Sequence, residues 1–158
     1  MPPLLRTATR LHSNFLASIL QCCLVWRGMP EETLLAFDYG VKKLGVALGN
    51  SLLRQARPLE IIETDTRDAR FARIEALLKL WQPERLVVGL ALNTDGSDQE
   101  ATARCRRFAN QLEGRFKLPV ALVDERGSSM EAQKITGNAP DDAVAAAIIL
   151  QRYFDALT

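Results

Sequence analysis

The sequence predicts an α/β domain in which helices pack on the faces of one mixed sheet. Three apolar runs of strand length follow one another between residues 34 and 64, close enough for neighbours to pair antiparallel. Two further strands then alternate with helical segments, the order typical of parallel pairing. With 158 residues, of which 47% are hydrophobic and 25% charged, the chain can form one well-buried globular domain.

Five apolar runs, each bounded by turn or loop residues, are the predicted strands. The first is followed by Asp38-Tyr39-Gly40, where a polar residue and a glycine mark a turn. The fourth has no polar residue in its interior, which is typical of a central strand covered on both faces. The predicted strands are Leu34–Phe37, Leu44–Gly49, Pro58–Thr64, Arg85–Leu90 and Pro119–Glu125.

Apolar residues at helical spacing predict the helices. Asp68 is expected to cap the first helix and Pro83 to end it, and the second is expected to begin near Asp98. A short helix over Met130–Lys134 and a last helix over Asp141–Phe154 complete the chain. The predicted core faces of the two long helices are Phe71, Ile74, Leu77, Leu78 and Trp81, and Cys105, Phe108, Ala109, Leu112 and Phe116.

Residues 1–28 lack the pattern of the rest of the chain. They contain three arginines, no acidic residue and an apolar stretch from Phe15 to Trp26, a composition also found in signal and transit peptides. Because no A-x-A-type cleavage site is present, we interpret the segment as an N-terminal extension of doubtful function, with the domain in residues 29–158. The single histidine, His12, lies in the extension, which excludes histidine-based catalysis and a zinc site from the domain.

Charge and cysteine content narrow the function classes further. A formal net charge of +1 excludes a strongly basic protein that coats nucleic acid. Any nucleic-acid partner would therefore be bound by a local basic patch together with metal ions. No apolar run reaches the ~20 residues of a membrane span, so no membrane partner is expected. The three cysteines do not form a disulfide framework, which favours reduced thiols and a cytoplasmic location.

Three carboxylates are candidates for a functional site. Asp38 stands at the carboxyl end of the first predicted strand, Glu125 ends the last strand, and Asp142 lies at the start of the final helix. Functional groups of open α/β sheets gather at the carboxyl ends of strands. Such a trio suits oxygen coordination of two Mg²⁺ or Mn²⁺ ions in phosphodiester hydrolysis. Taken singly, each residue also has a structural interpretation. Asp38 could be an ordinary turn aspartate, Glu125 could form a salt bridge with Arg126, and Asp142 could be a carboxylate in the first turn of a helix.

Four blocks of sequence occur in a recognisable order and spacing: DYGVKKLGVALG, VVGLALNTDGSDQEATARCRRFAN, VDERGSS and DDAVAAAIIL. Together they resemble the YqgF family of bacterial RNase H-like nucleases, over Thr33 to Ala156. The resemblance implies an RNase H-like α/β fold, a mixed five-stranded sheet flanked by helices on both faces. It also implies that Asp38, Glu125 and Asp142 are the catalytic and metal-binding residues.

The same resemblance supplies candidates for substrate binding. Lys42 matches the basic position after the first motif, and Arg126 matches the arginine of the DER block. Asn93, with Asp95 and Gly96, matches the loop that borders the family's site and could contact a nucleic-acid backbone. A plain Asx turn is the structural alternative for this loop.

Three departures from the family pattern concern loops. Ala91 replaces a usual proline, Gly127 replaces a usual aliphatic residue, and residues 130–140 are shorter and less basic than in relatives. The last departure puts substrate contact by that segment in doubt. Arg104 and Arg107, opposite the core face of the second long helix, are therefore added as substrate-binding candidates, with a solvated helix face as the alternative.

The resemblance implies a metal-dependent endonuclease that matures the 5′ end of the 16S ribosomal RNA precursor in the cytoplasm. Its expected partners are structured RNA and pre-ribosomal particles, and the chain could be a monomer or a homodimer. One alternative is a Holliday-junction resolvase acting on branched DNA; another is a non-catalytic nucleic-acid-binding module in ribosome assembly. Half of an actin-like sugar kinase is excluded because 158 residues leave no room for a second domain.

Overall fold

The computed structural model describes residues 31–93, 95–126 and 142–157. This part of the chain contains five strands and three helices. In chain order they are β1 (Thr33–Tyr39), β2 (Lys43–Asn50), β3 (Gln55–Glu63), α1 (Arg67–Trp81), β4 (Arg85–Leu90), α2 (Glu100–Phe116), β5 (Val120–Asp124) and α3 (Asp142–Ala156).

The strands form one mixed sheet with the order β3-β2-β1-β4-β5. β1 pairs antiparallel with β2 and parallel with β4, while β2 and β3 pair antiparallel and β4 and β5 parallel. Short turns join the antiparallel neighbours, whereas the parallel ones are connected through α1 and α2, because a parallel crossover needs a longer path. The carboxyl ends of β1, β4 and β5 therefore meet at one edge, and the predicted mixed sheet is confirmed.

Helices cover both faces of this sheet, and the side chains of β1 alternate between the two resulting cores. Its odd-numbered residues, such as Phe37, are buried against α1 and α2, and its even-numbered ones, such as Ala36, against α3. Phe37 is fully buried, and a side chain of this size stabilises the fold by ~1.5–3 kcal/mol relative to an exposed one. By the same alternation Asp38 belongs to the α3 face and Tyr39 to the α1–α2 face.

The N-cap of α1 lies two residues earlier than predicted. Thr66, rather than Asp68, is the N-cap, because its hydroxyl accepts a hydrogen bond from the backbone N–H of Ala69 at 3.2 Å. Asp68 lies in the first turn, where a carboxylate interacts favourably with the positive end of the helix dipole.

The start of α2 lies later than predicted. Gln99 is the N-cap, and its backbone N–H donates to Oγ1 of Thr102 at 2.8 Å, which forms half of a capping box. Asp98, the expected start, instead accepts a hydrogen bond from Arg106 at 3.1 Å. Cys105 and its predicted apolar neighbours on α2 are buried, with Phe116 partly buried, so the core face is confirmed.

β3 is longer than predicted and begins at Gln55 instead of Pro58. Pro58 lies within the strand opposite Ala47, where the register between β2 and β3 shifts. A proline lacks the N–H of a sheet ladder and is tolerated here because β3 is an edge strand.

Two predicted segments lie outside the described residues: the N-terminal extension 1–28 and the short helix 130–134. Among the helices that the structure describes, none has both the length and the apolar character needed to cross a membrane.

Candidate active site

The three candidate carboxylates are held by different elements at the same edge of the sheet. Asp38 is the penultimate residue of β1, Glu125 directly follows β5, and Asp142 is the first residue of α3. β1 and β5 run parallel on either side of β4, so their carboxyl ends are aligned. α3 packs on the face to which Asp38 belongs. Elements distant in sequence thus place these acids at one edge of the sheet.

Asp38 and Glu125 are in direct contact through a hydrogen bond between their carboxyl groups. Burial, followed by the charge of Asp38 and the hydrogen bond to it, raises the pKa of Glu125 to about 8. Burial also raises the pKa of Asp38 to about 6, with a contribution from the charge of Asp142, although the hydrogen bond acts in the opposite direction. Together, the two carboxyl groups therefore retain a proton more readily than free carboxyl groups do.

The start of α3 lies against β2 at Gly45, the residue that pairs with Asp38 across the two strands. A Cβ atom at position 45 would overlap the backbone carbonyl of Asp142 and would lie 3.0 Å from the backbone nitrogen of Ala143. The missing side chain of Gly45 is therefore what lets α3 begin close to the end of β1. This close approach explains why the Asp142 carboxylate acts on the pKa of Asp38.

A second glycine makes room for Glu125. A Cβ atom at Gly89, near the end of β4, would lie 2.6 Å from Oε2 of Glu125 and 2.5 Å from Cδ1 of Ile149. The same Oε2 atom is buried and has no hydrogen-bond partner within the described part of the chain. An acceptor oxygen in this position is costly unless a donor or a cation satisfies it.

The donor set fits a hard divalent cation. Among the residues that the structure describes, no three His, Cys, Asp or Glu side chains stand close enough together to enclose a metal ion. The site is instead a contact pair, Asp38 and Glu125, with Asp142 close enough to influence it electrostatically. All three are carboxylates, the ligand type that Mg²⁺ and Mn²⁺ favour, and the buried oxygen of Glu125 lacks a partner that such an ion would provide.

The raised pKa of Glu125 predicts how the stability of the metal-free protein depends on pH. Between its ordinary value of 4.5 and about 8, the folded protein holds a proton that the unfolded chain releases. The free energy of unfolding should therefore decrease as the pH rises through this window. Urea denaturation in EDTA at pH 5, 6.5 and 8 measures it. Glu125→Gln should flatten the profile, and an equally steep decline in that variant would contradict the assignment.

The residues that flank Glu125 serve a structural purpose. Asp124 accepts hydrogen bonds from the backbone N–H and Nε of Arg126, at 2.9 and 2.6 Å. Arg152 of α3 donates to the carbonyl of Asp124 at 3.1 Å, which ties the end of β5 to the helix that carries Asp142. Arg126, predicted to contact substrate, is therefore positioned beside the site by Asp124.

The other substrate-binding candidates lie at two places near this edge. Lys42 is exposed in the turn between β1 and β2. Asn93 uses its side-chain amide to close its own loop, donating to Oγ of Ser97 at 3.0 Å and to the carbonyl of Asp98 at 3.2 Å. The structure thus brings Lys42 to the carboxylate edge and shows an internal loop contact for Asn93.

Arg104 and Arg107 lie elsewhere, on the α1–α2 face. Both line a cavity at the start of α1, and Arg104 also pairs with Glu100. Sequence reasoning missed Arg70, which is 7% exposed and donates to the carbonyls of Gly40 and Val41 at 3.0 and 2.9 Å. These bonds fix the turn after Asp38. Its position directly before the buried Phe71 of α1 was the signal available for it.

Comparisons with known proteins identify related sequences. Residues 32–156 match the RuvX family, described as Holliday junction resolvase. A Bordetella petrii protein named "Putative pre-16S rRNA nuclease" is 73% identical over 130 residues, covering 82% of this chain and 99% of that protein. A Paraburkholderia phytofirmans protein of the same name is 53% identical over 133 residues, covering 81% of this chain and 91% of that protein.

Solved structures show the same fold at low sequence identity. RuvC of T. thermophilus in complex with a Holliday junction substrate has a TM-score of 0.53 and 21% identity, covering 80% of this chain and 95% of that chain. The fowlpox virus Holliday junction resolvase has a TM-score of 0.50 and 13% identity, covering 80% of this chain and 99% of that one. At these identities the likeness concerns the fold.

Proposed function

The chain belongs to the RuvX family, and from this premise we propose that it is a metal-dependent endonuclease that processes the 5′ end of the 16S ribosomal RNA precursor. The observation that carries the proposal is the contact between the Asp38 and Glu125 carboxyls beside the start of α3. The names of the Bordetella and Paraburkholderia relatives support the choice of RNA as substrate. The proposed setting is the cytoplasm, with pre-ribosomal particles as partners.

Asp38, Glu125 and Asp142 are proposed to hold two Mg²⁺ or Mn²⁺ ions. When bound, such ions activate a water molecule for attack on phosphorus and stabilise the leaving oxygen. Asp38, which contacts Glu125 and feels the charge of Asp142, is placed to serve both ligand sets. The Asp38–Glu125 pair must release any proton that it holds before both groups can act as ligands. Lys42 and Arg126 are proposed to hold the scissile phosphate.

Holliday-junction resolution is the second candidate, favoured by the description of the matching family. It requires two sites on a four-way junction, and therefore a symmetric dimer of this chain. A ribosome-assembly module that binds RNA without cutting it is the third.

The decisive experiment incubates the full chain with a 16S precursor fragment that spans the 5′ processing site and with a four-way DNA junction. Each is tested in Mg²⁺, Mn²⁺ and EDTA, with a mature 16S fragment and a linear duplex as matched controls. We expect cleavage of the precursor near the mature 5′ end, dependent on metal. Cleavage of the junction alone would replace the proposal with the resolvase function, and binding of RNA without cleavage would replace it with the assembly function.

A further inference from the structure

A basic pocket lies on the face of the sheet opposite to the acidic trio. It has a volume of about 380 Å³ and lies between the end of β1, the start of α1 and the middle of α2. Tyr39 contributes to its wall, whereas the preceding residue, Asp38, belongs to the α3 face. The pocket and the carboxylates thus adjoin the same end of β1 from opposite faces.

Four arginines line this pocket, Arg67 and Arg70 from α1 and Arg104 and Arg107 from α2, together with a single acid, Asp65. Such clustering is notable in a chain with a net charge of only +1. Arg70 is committed to the turn after β1, and Arg104 pairs with Glu100. Among the described residues, no ion pair is formed by Arg67 or Arg107. The pocket therefore offers excess positive charge to an anionic ligand.

A second feature of the pocket is an unsatisfied polar atom. The hydroxyl oxygen of Thr64, which also lines the pocket, is buried and has no hydrogen-bond partner among the described residues. A phosphate oxygen in the pocket would accept a hydrogen bond from this hydroxyl and pair with the arginines.

The pocket is continuous with the turn that leads to the carboxylate edge. A neighbouring cavity, lined by Lys42, Lys43 and Glu63, shares Val41, Thr64 and Asp65 with it. Cationic groups thus extend from α2, across the start of α1, to Lys42 in the turn after β1. This path has the form of an electrostatic track for a polyanion.

We propose that this pocket binds the phosphates of a nucleic-acid strand whose neighbouring segment reaches the carboxylates over the turn at residues 40–42. This proposal rests on the proposed function, because the bound strand is taken to be part of the nuclease's substrate. A nucleic-acid strand and a free nucleotide both carry a phosphate ester that the pocket could bind. The experiment distinguishes between these two ligands.

The test measures binding of a fluorescein-labelled single-stranded RNA 12-mer to the full chain carrying Asp38→Asn, in EDTA, so that neither cleavage nor metal contributes. The pocket variant adds Arg67→Ala and Arg107→Ala. The control variant adds Arg73→Ala and Arg106→Ala, which remove one arginine from each of the same two helices outside the pocket. Both pairs change the net charge equally.

We expect the pocket variant to raise the Kd at least tenfold and the control variant to raise it less than twofold. The slope of log K against log salt should fall by about 1.4 in the pocket variant, since each phosphate contact on a single strand contributes about 0.7. Equal weakening in both variants would overturn the proposal. Circular dichroism confirms folding, and Arg107→Glu alone provides a second variant in which binding must also weaken.

Competition with AMP distinguishes the two sources of phosphate. If millimolar AMP leaves RNA bound, the pocket recognises a strand, as proposed. If micromolar AMP displaces the RNA, the strand assignment is wrong and the pocket is a nucleotide site. Because the binding assay requires no cleavage, it can contradict the pocket proposal without contradicting the nuclease function, and the cleavage assay can do the reverse.

Discussion

Replacing Asp38 with asparagine is expected to lower the rate of metal-dependent cleavage by at least ~10²–10³-fold, the loss usual when a principal electrostatic contact in a catalytic site is removed. Asp38 lies at the centre of the site, since it contacts Glu125 and its pKa responds to Asp142. Asparagine preserves its size but provides no negative charge for a cation. Single-turnover cleavage of the precursor fragment, with enzyme in excess, measures the effect without interference from product release.

The variant should remain folded, because the substitution removes a buried carboxylate whose charged form is disfavoured in the metal-free protein. Its melting temperature in EDTA at pH 8 should equal or exceed that of the unaltered chain. Asp155→Asn, in the last turn of α3, is the matched control and should cleave at the normal rate. Full activity in Asp38→Asn would exclude these carboxylates from catalysis.

Replacing Gly45 with alanine is expected to impair both stability and activity. The new methyl group would overlap the backbone of Asp142, and backbone atoms at the start of a helix cannot rotate away as a side chain can. Either α3 shifts or β2 bends, and such overpacking costs ~1–3 kcal/mol. Because the displaced residue is Asp142, cleavage should fall together with the free energy of unfolding. Urea denaturation and the cleavage assay measure the two effects.

Gly114→Ala provides the contrasting control. No atom lies within 4 Å of a Cβ built at this glycine in α2, and alanine is favoured over glycine inside a helix by ~0.5–1 kcal/mol. This variant should unfold at higher urea concentration and cleave normally. If Gly45→Ala behaved in the same way, the close approach of α3 to β2 would be wrong.

The sequence was sufficient to predict the sheet, and to predict that Asp38 and Glu125 lie at the same edge of it, because both depend on simple rules. A strand buried on both faces contains only apolar residues, as β4 does, and the ends of parallel strands share an edge. The direct contact of Asp38 with Glu125 is an outcome of side-chain packing, and no pattern in the chain specifies it. Roles for individual catalytic residues came from the family resemblance.

Other features depend on contacts between residues far apart in the sequence and could not be predicted. The pocket brings Tyr39, Thr64 and Arg107 together only once the sheet and both helices have packed. The register shift at Pro58 likewise depends on its partner strand. The N-cap of α1 was misassigned for a local reason, because Thr66 and Asp68 are both good capping residues and only the backbone conformation decides between them.

The two glycines beside the acids carry different evolutionary constraints. Gly45 is confined by the main chain of α3, a restriction that belongs to the architecture and persists whatever the protein does. Gly89 is confined by the carboxyl of Glu125 and by the tip of Ile149, both of which are side chains that substitution can shorten. In a lineage that had abandoned catalysis, position 89 would drift once the glutamate was lost, while position 45 would stay glycine. Variation at these two positions therefore records whether a descendant still depends on the acids or only on the scaffold.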